Sequence, residues 1–232
     1  MFKSKKLSKF KSIEHAFFNK LGGKSTGIFK SLNCGPGSSD KKKNIQKNLE
    51  IVRNKINAKS KKIVLLNQVH SNRFYYISKN SNLSNNKFEG DALITDKKNL
   101  PIAVLTADCV PILIHDEKKN MIAAIHAGWK GAYKGIVKKV VKFMVKKGCS
   151  PKNITAAIGP CISHNNYEVK EDFKKKFIKK DRKNIIFFKI TKNKNYFNLN
   201  KYIHFQLESL NIKKVDIINK DTFNAKNNFF SA

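Results

Sequence analysis

Short, mostly apolar runs dominate the segment from residue 62 to residue 126, and they constrain the fold more than any other feature of the chain. Runs of this length, rich in Val and Ile and bounded by turn residues, are too short for core helices and predict buried β-strands. We expect strands at 63–69, 74–77, 91–95, 102–105, 110–114 and 121–125, with a polar loop at 80–86. We also expect the strand at 74–77 to pair with the strand that precedes it.

Helical patterns flank this strand-rich segment. Ile45, Leu49, Val52 and Ile56 recur at helical spacing, and Ser39 or Asp40 is the expected N-cap. A strongly amphipathic stretch predicts a helix over 132–147, with Gly148 just past its end. Further helices are expected at 170–180 and 199–210, and further strands at 154–158, 185–190 and 215–218. The sequence therefore predicts an α/β fold, a single domain with a mixed β-sheet core flanked by helices. It would span residues 13–232, after a frayed, basic N-terminal tail at 1–12.

The net charge of +32 restricts the function less than its size suggests. Almost all of the positive charge is lysine, and the three arginines are Arg53, Arg73 and Arg182. Proteins that read nucleic acids rely on arginine for bidentate contacts, and these lysines are scattered along the chain. Abundant Lys, Asn and Ile together indicate A/T-rich coding, so we expect no specific nucleic-acid partner. A basic nucleic-acid-binding module stays open as an alternative.

Location and partners follow from what the sequence lacks. No apolar run approaches the length of a membrane helix, and the basic N-terminus has no apolar signal-peptide core. We therefore expect a cytoplasmic protein with no membrane partner. Its four cysteines are too few for a disulfide scaffold, and in a reducing compartment they favour metal or catalytic roles.

Three side chains form the leading candidate site: His70, Cys109 and His126, each just past one of the apolar runs. Ligands of open α/β sheets collect outside the carboxyl ends of strands, so we expect the three to meet there. Two imidazoles and one thiolate leave a fourth position open on zinc, which is typical of catalytic zinc. Taken singly, a histidine or cysteine at such a position is more often a core residue with no metal bound than a metal ligand. Asp108 is a candidate to orient one of the ligands.

Two further motifs carry candidate residues, each with an alternative structural role. Trp129, between Gly128 and Gly131, either stacks on a planar substrate ring or packs in the core between a helix and the sheet. Cys161 follows Gly-Pro at a strand end, where it is either a nucleophile paired with His164 or a buried thiol. The nucleophile interpretation gives a second function hypothesis, a cysteine hydrolase or amidase that acts on a peptide-like or cell-wall precursor through Cys161 or Cys109.

Several segments together resemble the YfiH/laccase-domain family over about residues 13 to 230. The blocks that carry the resemblance are Gln68-Val69-His70, Gly90-Asp91-Ala92-Leu93-Ile94-Thr95, Thr106-Ala107-Asp108-Cys109-Val110-Pro111, His126-Ala127-Gly128-Trp129-Lys130-Gly131 and Ile158-Gly159-Pro160-Cys161-Ile162. Leu21-Gly22-Gly23, Ser31-Leu32-Asn33 and Tyr167-Glu168-Val169 resemble its flanking blocks. The blocks occur in the family's order, which makes the resemblance highly specific.

The resemblance implies a metal held by His70, Cys109 and His126, usually zinc, with copper in some members. It implies a purine nucleoside phosphorylase that cleaves adenosine, inosine or methylthioadenosine with phosphate, with added adenosine deaminase activity. Its partners would be nucleoside and phosphate, and we expect a monomer or homodimer. The expected catalytic residues are the three metal ligands and Cys161, and the expected substrate-binding residues are Lys20, Gln68, Asp108 and Trp129.

The chain departs from the family's pattern at two places. Lys20 stands where the family usually has arginine. A lysine ammonium attracts phosphate as a point charge but lacks the two parallel hydrogen bonds that an arginine guanidinium can donate. The family's arginine-containing tail is not expected to contribute, because the sequence ends at Ala232. Six histidines are too few for a multicopper laccase, which leaves a copper-dependent phenol oxidase with a simpler site as an alternative. The sequence motif of zinc base deaminases is absent as well.

Overall fold

A computed structural model describes residues 1–60, 62–78, 80–81 and 89–231. Its strands are β1 (Phe74–Ile77), β2 (Ala92–Thr95), β3 (Val110–Asp116), β4 (Met121–Ala127), β5 (Ile154–Ile158), β6 (Glu168–Val169), β7 (Phe188–Thr191), β8 (Lys194–Phe197) and β9 (Lys214–Ile217). Its α-helices are α1 (Lys42–Lys55), α2 (Trp129–Tyr133), α3 (Ile136–Lys146), α4 (Glu171–Lys180) and α5 (Leu199–Glu208). Among the described residues, no helix combines the length and the apolar character that crossing a membrane requires.

The core is a mixed sheet with the strand order β1-β2-β4-β3-β5-β9. β1 runs parallel to β2 and β5 runs parallel to β9, whereas β2, β4, β3 and β5 pair antiparallel. The central strands are buried on both faces, as their continuous apolar sequences predict. The predicted α/β class, with a mixed sheet flanked by helices, is confirmed.

Different layers cover the two faces of the sheet. The apolar stripe of α3, which includes Val137, Val140 and Met144, packs on one face. The opposite face carries irregular segments whose apolar side chains, such as Leu66 and Leu100, pack against Leu93. A second small sheet, of order β6-β8-β7, packs against the same core through Phe197 of β8 and was not fully predicted.

Two predicted strands are wrong. The segments 63–69 and 102–105 form only isolated bridges, Val64 with Ile102 and Asn67 with Glu89. The Gln68 side chain makes hydrogen bonds that a neighbouring strand would otherwise make. Its Nε2 donates to the Leu105 carbonyl at 2.7 Å, and its Oε1 accepts from the Leu105 amide, also at 2.7 Å. As a result, β1 pairs with β2 and not with the segment before it.

Helix boundaries also differ from the prediction. The expected helix over 132–147 is two helices, α2 and α3, because Gly135 takes a left-handed φ of 78° between them. Lys41 is the N-cap residue of α1 in place of Ser39 or Asp40. The expected strand at 185–190 begins as a 3-10 helix, Arg182–Phe187.

The N-terminal segment packs on the sheet instead of fraying. Leu7 is 1% exposed, Phe2 pairs with Phe17, and Ser4 donates to Asp216 at 2.7 Å. The separation of residues 1–12 from a domain at 13–232 stays a prediction. Most of the predicted loop at 80–86 lies outside the described residues.

Candidate metal centre

The structure brings His70, Cys109 and His126 together at one end of the sheet. His70 lies in the turn before β1, Cys109 directly precedes β3, and His126 lies near the end of β4. Their candidate ligand atoms all lie within 4.8 Å of one another. Cys109 Sγ is 3.8 Å from His70 Nε2, and the two imidazole rings meet edge to face. Two nitrogens and one sulfur at this spacing match the donor set of a catalytic zinc site.

The three side chains meet for a different reason from the one that the sequence suggested. β4 runs antiparallel to both β2 and β3, so its carboxyl end shares an edge with their amino ends. His126 comes from a carboxyl end, whereas Cys109 comes from an amino end. The expectation that three carboxyl ends would converge is therefore wrong, although the residues do converge.

Asp91 organises the centre, and the sequence analysis did not select it. This carboxylate is fully buried. Its Oδ1 accepts hydrogen bonds from His126 Nδ1 at 2.8 Å and from the His70 amide at 3.0 Å. Its Oδ2 accepts from the amide and the hydroxyl of Ser71, at 2.5 and 2.6 Å. Because Nδ1 of His126 donates to Asp91, its Nε2 presents a lone pair toward the other two ligands.

Asp91 is ionised in this environment. Burial alone would raise its pKa, but the hydrogen bonds from His126 and Ser71 outweigh that effect and hold the pKa at about 2. A fixed negative charge beside two histidines also favours a cation at the centre. The sequence does hold a signal for this residue, a carboxylate directly before the apolar run Ala92-Leu93-Ile94.

The local backbone gives the ligands room. His70 takes a positive φ of 54°, which is uncommon for a residue with a side chain, and its amide is held by Asp91. A Cβ on Gly128 would lie 2.8 Å from His70 Cδ2 and 2.9 Å from Cys109 Sγ. Only glycine fits at this position.

The protonation of the ligands follows from their partial burial. Burial, and next the charge of His126, lowers the pKa of His70, so its imidazole is neutral at neutral pH and able to bind metal. Burial and the carboxylates of Asp108 and Asp91 raise the pKa of the Cys109 thiol to about 11. A divalent cation at the centre offsets these carboxylates and favours the thiolate. The donor set therefore fits zinc, and by its composition also copper.

Asp91 accepts the hydrogen bond from His126 Nδ1, and orientation of a ligand by Asp108 stays a prediction. Asp108 instead accepts from the hydroxyls of Thr222 at 2.6 Å and Ser231 at 2.8 Å. These bonds tie the C-terminal segment to the turn that carries Cys109. A substrate contact through Asp108 stays a prediction.

The other predicted substrate-binding residues lie outside the cluster of three ligands. Both amide atoms of Gln68 are engaged with the backbone of Leu105, as described above. Trp129 is half-buried and packs edge to face on Phe173, with a ring-centroid distance of 5.1 Å. Lys20 lines a cavity of about 980 Å³ on the same sheet face as His126. Their substrate contacts stay predictions.

Cys161 has the environment of a buried thiol. It is 4% exposed, and burial raises its pKa to about 12. The ring of His164 approaches the Tyr196 carbonyl through Nε2, at 3.2 Å, and no hydrogen bond between described atoms joins it to Cys161. The structure thus does not form the Cys161–His164 pair that a hydrolase would use.

Comparisons with known proteins identify relatives of this chain. Residues 14–232 match a family model described as multi-copper polyphenol oxidoreductase laccase. A purine nucleoside phosphorylase of Rickettsia conorii is 37% identical over 189 residues, which cover 79% of this chain and 77% of the relative. A purine nucleoside phosphorylase of Rickettsia prowazekii is 33% identical over 215 residues, which cover 92% and 85%.

Solved structures share the fold. A Neisseria meningitidis protein of the DUF152 family superposes with a TM-score of 0.81 at 28% identity, covering 92% of this chain and 85% of that protein. Bacillus licheniformis YfiH superposes with a TM-score of 0.84 at 26% identity, covering 92% and 84%.

Proposed function

This chain belongs to the YfiH family of polyphenol oxidoreductase laccase proteins, and from that membership we propose that it is a metal-dependent purine nucleoside phosphorylase. The observation that carries the proposal is the convergence of His70, Cys109 and His126 around a buried, ionised Asp91. Relatives that cover most of the chain bear the name of this activity. In the proposed reaction a phosphate oxygen forms a bond to C1′ of the sugar while the C1′–N bond breaks, and the base leaves as the free purine.

Zinc is the metal we propose, and His70, Cys109 and His126 would hold it. When bound, zinc would act as a Lewis acid beside the substrate. Asp91 holds the ring of His126 and the backbone of His70 in place, so the ligands are preorganised without a metal. Gly128 keeps the space between the ligands free of side-chain atoms.

Lys20 is the candidate phosphate contact. Its side chain lines the large cavity together with Thr106 and Ala107, which directly precede Asp108 and Cys109. An ammonium group here attracts phosphate as a point charge. The apolar cavity wall excludes water from the reacting bond, which favours phosphate over water as the nucleophile.

We propose adenosine, inosine and methylthioadenosine as substrates, with adenosine deamination as a side activity. The four free cysteines of the described residues suit a reducing compartment, which supports the proposal that the enzyme acts in the cytoplasm. Whether it is a monomer or a homodimer stays a prediction.

The test is release of free adenine from adenosine by zinc-loaded protein, with and without phosphate. We expect adenine and ribose 1-phosphate in equal amounts and only with phosphate, and inosine as a minor product if the deaminase activity is present. Cys109→Ala should abolish both zinc retention and turnover. Cys149→Ala is the matched control, because Cys149 is also a buried thiol but lies beside Met121 in the core. Full activity of a metal-free Cys109→Ala protein would contradict the proposal.

A copper-dependent phenol oxidase is the second candidate, favoured by a donor set of two imidazoles and one thiolate. Copper-loaded protein should then oxidise a simple phenol with consumption of oxygen, and Cys149→Ala should leave that rate unchanged. Zinc-loaded protein that performs phosphorolysis, while copper-loaded protein consumes no oxygen, would exclude the oxidase.

A further inference from the structure

A cavity of about 980 Å³ extends along β3 on the sheet face opposite α3. Pro111 lines one end, close to the metal centre, and His115 lines the other. At about 3.3 Å per residue, these two positions are about 13 Å apart along the strand. Apolar side chains form most of the wall between them, including Ile63, Leu65, Leu100, Ile102, Leu113 and Ile122. The volume lies at the upper end of the range for small-molecule sites, which is about 300–1,000 Å³.

His115 is a polar side chain without a partner at the far end of this cavity. It is 1% exposed, and neither of its ring nitrogens has a hydrogen-bond partner among the described residues. Its ring meets Phe10 edge to face, at 4.9 Å between centroids. Burial lowers the pKa of His115, so at neutral pH its ring carries one N–H donor and one acceptor nitrogen. Buried polar groups without partners are rare in folded proteins, and each calls for an explanation.

A second unpartnered group lies beside it. Thr155 on β5 is the register partner of His115, so the two side chains are neighbours on the same sheet face. The Thr155 hydroxyl is buried and has no partner among the described atoms. Of the two, His115 lines the cavity, and an unpartnered polar group at the end of an apolar cavity indicates a ligand that carries a polar group at one end.

Positive charge collects at the same end. Thr95, the last residue of β2, is paired with Ile122, and Ile122 is paired with His115, so Lys97 and Lys98 follow β2 at the His115 end. Both lysines line the cavity, and so does Lys11, which is next to Phe10 in the chain.

Four carboxylates lie near this end or line the cavity. Glu14 pairs with Lys3 at 3.0 Å, whereas Asp96, directly before Lys97, has a buried Oδ1 without a partner among the described residues. The Asp116 carboxylate accepts hydrogen bonds from the backbone amides of Lys118, Lys119 and Ser150. Glu117 pairs with Lys214 at 3.6 Å. The lysines at the cavity end therefore favour an anionic ligand group.

We propose that this cavity binds a linear carboxylate with an apolar chain. The carboxylate lies at His115 and accepts its N–H, with the lysines of this end supplying charge, and the chain lies along β3 toward Pro111. The polar end of this site is separate from the metal centre, because His115 lies about 13 Å along β3 from Pro111, which is the register partner of His126. Lys20 lines the same cavity, but the binding proposed here does not require the proposed phosphorylase activity.

The test is calorimetric titration of the full chain with decanoate, below the concentration at which decanoate forms micelles. We expect saturable binding of one decanoate per chain, and a loss of affinity of about tenfold or more in His115→Leu. Thermal melting shows that the variant is folded, and its melting temperature should equal or exceed that of the wild type, because the change removes an unpaired buried polar group. Decanol should bind more weakly than decanoate, since it lacks the charge.

Lys98→Gln should weaken decanoate binding, and Lys142→Gln is its matched control on the exposed side of α3. Absence of saturable binding to the wild type would overturn the proposal. Equal affinity of the wild type and a folded His115→Leu variant would overturn it as well.

Discussion

Replacing Asp91 with asparagine tests whether this side chain organises the metal centre. Each carboxylate oxygen of Asp91 accepts two hydrogen bonds, one pair from His126 and His70 and the other pair from Ser71. Asparagine has the same shape but only one oxygen. Its NH₂ group must therefore face two donors, whichever way the amide is turned.

The magnitude follows from this geometry. The Ser71 hydroxyl can turn to accept from the NH₂ group, and the His126 ring can change tautomer, so on either side one backbone N–H loses its acceptor, at a cost of about 1–3 kcal/mol. We expect Asp91→Asn to lower the free energy of unfolding by about 2 kcal/mol, or the melting temperature by about 4–8 °C for a chain of this size. The ring of His126 also loses its orienting acceptor, so zinc affinity should fall about 10- to 100-fold.

Zinc affinity is measured by competition with a coloured chelator, at a temperature where both proteins are folded. Asp116→Asn is the matched control, because Asp116 is also fully buried and accepts three backbone amides, but at the opposite end of β3. It should lose stability and keep its zinc affinity. If Asp91→Asn binds zinc as tightly as the wild type, Asp91 does not organise the ligands.

The acid stability of the protein depends on the same carboxylate. Its pKa is depressed to about 2 in the folded chain, from an ordinary value of 3.8. Its contribution is therefore complete above the ordinary value and is lost as the pH falls through the folded pKa. The shift corresponds to about 2 kcal/mol. In urea titrations the stability difference between the wild type and Asp91→Asn should shrink by this amount from about pH 5 to about pH 2, and a constant difference would refute the assignment.

Two further predictions concern the surroundings of the centre. Gly128→Ala places a Cβ under 3 Å from two ligand side chains and should weaken zinc binding about tenfold or more, whereas Gly37→Ala, with nothing within 4 Å of its Cβ, should not. Cys161 should stay unmodified by iodoacetamide in the folded protein at about pH 8 and react after unfolding in urea, because the thiol is buried and its pKa is raised to about 12. Mass spectrometry of tryptic peptides reads out the alkylation, and rapid labelling of folded Cys161 would favour a nucleophile.

The sequence predicted β2, β3, β4 and β5 from their apolar runs, and it predicted the three candidate ligands. It failed where pairing is decided far away in the chain. The run at 102–105 is as apolar as a strand, but a side-chain amide, that of Gln68, provides its contacts in place of a ladder. Local periodicity carries no information about such a partner.

Asp91 was missed for a similar reason. Its role depends on the register that places Ala92 opposite Ile125, which brings the preceding carboxylate beside His126. That register is set by the antiparallel pairing of β2 with β4, across residues that are distant in sequence. The family blocks included Asp91 but did not indicate what it contacts.

The order of the ligands along the chain has a consequence for synthesis on the ribosome. The three candidate donors and Asp91 all lie between residues 70 and 126. Cys109 directly precedes β3 and His126 lies in β4, and these two strands form one hairpin. The donor set is therefore complete in the nascent chain before β5 and β9 have been made. The proposed zinc ion would therefore find every candidate donor already present in the emerging chain, and the later strands supply none of them.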